Sequence, residues 1–206
     1  MTTPKSQETK RRLVHATIEA MRVDGIAKVS ARTVAERAGL AQGLVFYHFG
    51  SVAELIGAAC LAATQERVDR YATQFDTVDS FSGLVDLAAR VRREEREAGS
   101  VAILGQALAA AQTDPAMAEV SRAALDLWTE RVREVAQRLL VGSPFGELVS
   151  AGELADLVSS SFIGIELTAP VRAAESDGAL ATLSSLASTL DGLGPVARRA
   201  IRAALR

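Results

Sequence analysis

The sequence predicts an all-α fold. Three observations carry this: 38 alanines among 206 residues, only 4% aromatic residues, and five prolines spread thinly. Alanine is the strongest helix former and proline the strongest breaker. No stretch sustains period-two alternation with β-branched enrichment, and no internal repeat is evident.

Helix punctuation is legible along most of the chain. A first helix runs from about Ser6 to Asp24, with Leu13, Thr17, Ile18 and Met21 on one apolar stripe and Gly25 closing it. Ser30 is a good N-cap for a short helix, Ala31 to Ala38, which Gly39 stops. A second short helix covers about Gln42 to His48. Ser51 with Glu54 forms a capping box that opens a long helix to about Phe75. Asp79 or Ser80 starts the next helix, which ends before Gly99, and Ser100 to Gln112 forms an alanine-rich one. Asp114-Pro115 pairs an N-cap with proline at the first helical position, introducing a helix to about Val141. After a loop at Gly142–Ser150, a second capping box (Ser150, Glu153) opens a helix to about Glu175 that kinks or breaks near Pro170. Asp177 to Asp191 and Pro195 to Arg206 complete the set.

Composition narrows the function classes. One cysteine, Cys60, excludes an internal disulfide framework, and two histidines, His15 and His48, leave little for a metal centre. The segment Met1–Arg12 is polar and charged, unlike a signal peptide, and no apolar run reaches the roughly 20 residues a bilayer span needs. The expectation is a cytoplasmic chain with no membrane partner, no metal and no cofactor. The net charge of −2 is unevenly spread: residues 1–50 hold eight Lys/Arg and four Asp/Glu, including all three lysines. That is +4, which leaves −6 for the remainder. A small basic module on an acidic body fits a first part that meets a polyanion, or simply an uneven solvated surface.

The segment from Val29 to Phe49 decides between these. Two short helices joined by a tight glycine-containing turn describe a helix-turn-helix. Ala35 must be small where the second helix crosses the first, and Gly39 supplies the left-handed turn residue. Val45 fills the angle between the helices above Val34 and Ala38.

With these residues in place, the chain resembles the TetR family of transcriptional regulators. The resemblance covers roughly Thr9 to Leu61. It rests on the helix from Arg12 to Ala20, on Asp24-Gly25, Val34-Ala35 and Ala38-Gly39, on Phe46-Tyr47-His48-Phe49, and on the helix start from Ser51 to Leu55. The resemblance implies a three-helix DNA-binding domain over residues 1–52 and a larger helical ligand-binding and dimerisation domain over 53–206. It also implies a homodimer, a double-stranded operator and an unidentified small-molecule effector as partners.

The residues supply the roles. Gln42 opens the recognition helix, where its amide pairs with adenine or serves a phosphate. Gly43 lets backbone approach the groove, and Leu44 presents an apolar side chain to a thymine methyl. Tyr47 and His48 end the helix within reach of phosphates. Ser30, Arg32 and Thr33 sit at a helix N-terminus suited to phosphate, with Lys28 close by. Phe46 is a reading residue or a core residue, whereas Phe49 is expected in the core. Two departures from the family pattern stand out: Gly50 and Val52 occupy positions where the family usually carries basic residues, which predicts a shallower salt dependence.

Beyond this region the candidates are looser. Trp128 with Arg131 forms a cradle for an acidic or planar ligand, or else packs in the core with Arg131 paired to an acid. Glu166 faces a polar cavity, solvent or a dimer seam, and Gln106 is a third effector candidate. Dimerisation is assigned to an apolar face carrying Leu157, Ser161 and Ile165 on one helix and Leu180, Leu183, Leu186 and Leu190 on the next. The functional expectation is a repressor released from its operator by an effector. The alternative is a DNA-binding protein of the same fold with a nucleoid or division role and no effector. An enzyme is not expected, since no phosphate-binding glycine loop, zinc spacing or His-centred constellation is found.

Overall fold

The computed structural model describes residues 4–204. Among them the chain forms ten α-helices and no strand. They are α1 (Pro4–Asp24), α2 (Ala31–Ala38), α3 (Gly43–Phe49), α4 (Val52–Asp76), α5 (Phe81–Glu97), α6 (Ser100–Ala111), α7 (Pro115–Leu140), α8 (Ala151–Thr168), α9 (Ala173–Asp191) and α10 (Pro195–Ala204). Short 3-10 turns at Ile26–Lys28 and Pro144–Glu147 join α1 to α2 and α7 to α8.

The caps read at Ser30, Asp114 and Ser150 form, whereas at Ser51 only one half of the expected box is present, the hydroxyl accepting from the Glu54 N–H at 3.1 Å. The Ser30 hydroxyl accepts from the Thr33 N–H and the Thr33 hydroxyl accepts from the Ser30 N–H, a reciprocal cap on α2. Ser150 and Glu153 do the same for α8, and Oδ1 of Asp114 accepts from the Ala116 N–H at 2.9 Å to start α7. Three boundaries depart most clearly from expectation. Gln42 sits at the N-cap of α3, so the helix proper begins at Gly43. The helix expected to run to Glu175 ends at Thr168, and α9 begins at Ala173 rather than Asp177. Pro170 has no N–H to continue the α8 ladder, and the Val171 and Arg172 N–H groups turn back to the Thr168 carbonyl. The last two residues of the final expected helix lie outside the described residues.

Packing divides the chain into two compact units. The first comprises the chain up to Arg67 together with Ala98–Leu125, and the second Val68–Glu97 together with the chain from Asp126. In the first unit, Leu13, Val34, Val45 and Leu55 are fully buried around the α1–α2–α3 junction. Burial of each such side chain contributes about 1.5–3 kcal/mol. A second cluster joins Met21 of α1 and Ile56, Ala59 and Cys60 of α4 to Ala107 of α6 and Met117 of α7. Gly57 belongs to this contact, because a Cβ there would stand 2.8 Å from a Val120 methyl.

In the second unit, Tyr71, Phe75, Leu84, Leu87, Val91 and Val135 form the core, with Trp128 and Phe162 packed against it. Helices α5 and α9 are bound at both ends. The Asp191 carboxylate at the end of α9 accepts from the Phe81 N–H at 3.0 Å and the Ser82 N–H at 2.8 Å, the first N–H groups of α5. Near the other end of α5, Arg92 donates to Asp177 of α9 at 2.9 Å.

Candidate nucleic-acid interface

The recognition element is built from its turn outward. Gly39 adopts φ 62°, ψ 40°, and the Leu40 N–H returns to the Ala35 carbonyl at 2.9 Å, so α2 ends cleanly. Arg12 reaches over from α1 and donates to the Ala38 carbonyl at 2.6 Å, satisfying an otherwise unpaired helix-end acceptor. Val45 then buries one face of α3 completely. The opposite face is left to solvent.

That outer face is where the predicted reading residues lie. Tyr47 is 79% exposed and Phe46 48% exposed, both unusually open for aromatic side chains. Gln42 and Gly43 are exposed, and a Cβ at Gly43 would meet nothing within 4 Å, so backbone alone fronts the helix start. The Tyr47 and His48 rings meet edge to face with centroids 4.9 Å apart, which fixes both at the helix end. Leu44 is half-buried and shares its surface with the core beneath, leaving only part of it for a base. Phe49 packs against the same core, as expected, with the Lys10 ammonium 5.9 Å from its ring centroid.

The α2 end of the interface is more committed. The Ser30 and Thr33 hydroxyls are engaged in their mutual cap, so their first duty is to hold the helix start. Arg32 pairs with Glu36 at 2.9 Å across open surface, a bond weak enough to exchange for a phosphate. Lys28 is exposed at the end of the 3-10 turn. Val52, where a basic residue was the family expectation, is half-buried against the core, and Gly50 carries φ 75°.

Residues 13–59 match the family model described as bacterial regulatory proteins, tetR family. This stretch carries the N-terminal helix-turn-helix domain of the tetR type. This regulator is 23% identical over 143 residues to an uncharacterized HTH-type transcriptional regulator of Mycobacterium tuberculosis, covering 69% of this chain and 73% of that one. Its fold is shared with the Salmonella enterica protein GusR (TM-score 0.69, 19% identity, 94% of this chain and 99% of that one). It is also shared with a structure described as multidrug binding protein EbrR complexed with imidazole (TM-score 0.64, 20% identity, 90% and 96%). The regulator is a DNA-binding transcriptional regulator with an N-terminal helix-turn-helix and a helical C-terminal portion. Among the described residues no single helix is long and apolar enough to cross a membrane.

Each effector candidate has its own partners within its unit. Gln106 is a structural bridge within the first unit: its Oε1 accepts from the Ile26 N–H at 2.7 Å, tying α6 to the 3-10 turn before α2. Trp128 is half-buried, with its ring centroid 5.9 Å from Tyr71 and 6.3 Å from Phe75. Arg131 pairs with Glu134 at 3.0 Å. Glu166 corrects its expectation of a cavity, solvent or seam. Its carboxylate is buried inside the second unit and accepts from Arg92 and, at 3.1 Å, from Arg96. Two guanidinium groups offset the desolvation a lone carboxylate would suffer there.

Arg92, Arg96 and Asp177 escaped the sequence reading. A signal existed: Leu84, Leu87 and Val91 mark the buried face of α5, and extending that stripe by one turn reaches Arg92 and Glu95. Burial works against the Arg92 charge, but bonds to Asp177 and Glu166 outweigh it and raise its pKa. Tyr71, fully buried, donates to Glu94 at 2.7 Å, and burial together with that bond pushes its phenol pKa up. The seam candidates differ in exposure. Leu157, Leu183 and Leu186 are exposed, whereas Ser161, Ile165, Leu180 and Leu190 are half-buried.

Proposed function

We propose that the regulator is a cytoplasmic homodimeric repressor, released from its operator by a small-molecule effector. Residues 1–52 read DNA, and residues 53–206 bind the effector and dimerise. The observation that carries the reading is the outer face of α3, where Phe46 and Tyr47 stand open while Val45 anchors the helix from behind. Exposed aromatic side chains on a short helix that opens a groove-sized surface suit contacts to thymine methyls and phosphates. Lys28, Arg32, Gln42, Gly43 and His48 supply the polar and backbone contacts around them, with Ser30 and Thr33 holding the helix start toward phosphate.

Leu157, Leu183 and Leu186 support a dimer seam through α8 and α9, since three open leucines on neighbouring helices favour a partner surface. A two-fold dimer would present two α3 helices to half-sites about 34 Å apart. The imidazole complex of the similarly folded multidrug binding protein supports a small molecule held by this kind of helical domain. Such a ligand acts only through different affinities for the DNA-competent and released states. A tenfold loss of DNA affinity needs about 1.4 kcal/mol of coupling, and DNA weakens the ligand equally.

The test is capture of genomic DNA by the full-length protein, followed by anisotropy titration of the enriched duplex against a scrambled one. Enrichment of a two-fold-symmetric sequence, bound at least tenfold tighter than the scrambled duplex, is expected. Equal affinity for both would overturn sequence-specific repression.

A further inference from the structure

We propose that Arg92 is the docking point for a small organic carboxylate, which forks onto its two terminal nitrogens in place of Asp177. The inference deepens the effector-responsive reading above and rests on it.

The donor inventory of Arg92 is unbalanced. Its Nε–H donates to Glu166, and its Nη1 donates to Oδ1 of Asp177 at 2.9 Å. Its Nη2 is buried and has no hydrogen-bond partner, although the residue as a whole is only 8% exposed. A guanidinium presents Nη1 and Nη2 as a planar fork that matches both oxygens of one carboxylate. Here one prong is filled by a single oxygen and the other is empty.

The two acids around Arg92 are not equivalent. Glu166 is fully enclosed and is also held by Arg96 at 3.1 Å, so it is a fixed part of the site. Asp177 has a side chain 71% exposed and touches Arg92 through one oxygen, so it is the replaceable part. An incoming carboxylate that displaces Asp177 keeps the charge balance and fills the empty prong as well. A cation is repelled by the two guanidinium groups, and a neutral amide offers one acceptor oxygen for a fork that needs two.

The position gives the exchange a consequence. Asp177 lies in the first turns of α9, and its bond to Arg92 fastens that end of α9 to α5. Displacing it frees this end while Asp191 still holds the other. The freed helix carries Leu183 and Leu186, two of the seam residues.

Calorimetric titration of the full-length protein with acetate, benzoate and succinate tests the site, with benzamide and choline as neutral and cationic counterparts. At least one of the acids is expected to bind, and benzamide and choline are not. Asp177→Ala, a surface change that removes the internal competitor, should tighten the acid about tenfold. Arg92→Lys retains the charge that faces Glu166 but lacks the fork, and should weaken the acid tenfold or more with the helical circular dichroism preserved. If Arg92→Lys unfolds, the Asp177→Ala comparison alone decides. No acid binding to either the unsubstituted protein or Asp177→Ala overturns the proposal, as does equal affinity in the two. Acid binding that leaves operator affinity unchanged upholds the site and defeats the effector reading. Release of the operator by choline without acid binding upholds the effector reading and overturns this site.

Discussion

Asp191 and Ser82 stand 109 residues apart in sequence, yet one carboxylate oxygen of Asp191 accepts both the N–H of Ser82 at 2.8 Å and its hydroxyl at 2.6 Å. A distant acid therefore adds to the local cap of α5, Ser80, whose hydroxyl accepts from the Gly83 N–H at 3.1 Å. The same carboxylate group takes the Phe81 N–H, so the positive end of the α5 dipole is met by a full negative charge.

Asp191→Ala should lower stability by about 1–2 kcal/mol, the range of a lost N-cap with charge. Burial works against the carboxylate, but the Ser82 and Phe81 hydrogen bonds outweigh it and hold its pKa below the ordinary value. A depressed folded pKa means the stabilisation is complete above the unfolded carboxyl value of about 3.9 and fades as pH falls through the folded one. Urea unfolding of the unsubstituted protein and Asp191→Asn at neutral pH and below pH 3 should show a gap that closes in acid. A constant gap would place the effect elsewhere.

Tyr47→Ala with His48→Ala should weaken operator binding by about tenfold or more, the scale of one lost specific contact. The melting temperature should hardly move, because Tyr47 is exposed and the two rings pack mainly on each other. Gel-shift titration at fixed salt, beside a thermal melt, separates the two effects.

Val52→Lys should steepen the salt dependence of DNA binding by about one in the log–log slope, if the side chain reaches a phosphate. Val52 is half-buried, so the lysine must lay its stem on the core and extend its ammonium outward. Anisotropy across a salt series measures the slope, and an unchanged slope would set Val52 away from the DNA.

Leu183→Glu with Leu186→Glu should give a helical monomer in sedimentation. The two sites put four carboxylates into a two-fold seam, where desolvation and repulsion oppose association. Both leucines are exposed in the single subunit, so its own core should survive. A persistent dimer would move the seam.

Gln106→Leu should destabilise the regulator by about 1 kcal/mol, because the Ile26 N–H loses its acceptor. Proton-exchange protection at Ile26 should fall while the α2 cap is unaffected. Unaltered protection would mean that water replaces the amide without cost.

The parts of the structure legible in the sequence share one property: they are local. Ser30, Gly39, Asp114 and Ser150 act within four residues of themselves, so each shows its role in a short window. Val45 and Val34 were also readable, since helix-turn-helix geometry fixes a short separation. Arg92 and Glu166 are 74 residues apart, and neither has a nearby partner that announces the pairing. The Asp191 cap and the Gln106 bridge were hidden for the same reason. Pro170 marked a break, but the length of the break depended on where the Val171 and Arg172 N–H groups found acceptors.

The division of the chain into packing units also governs the order in which it can be made. The first unit draws on two stretches of sequence, with α5 and its neighbours synthesised between them. Met21, Ile56 and Cys60 await Ala107 and Met117, which leave the ribosome only after α5 has been translated. At 5–20 residues per second the stretch from Cys60 to Met117 takes roughly 3–11 seconds to synthesise. During that interval the α1–α4 surface built on Met21 and Ile56 is uncovered and open to chaperones. A gene fragment ending within α4 at Arg67 would leave that surface bare for good, so a minimal soluble reader has to carry α6 and the start of α7 as a graft.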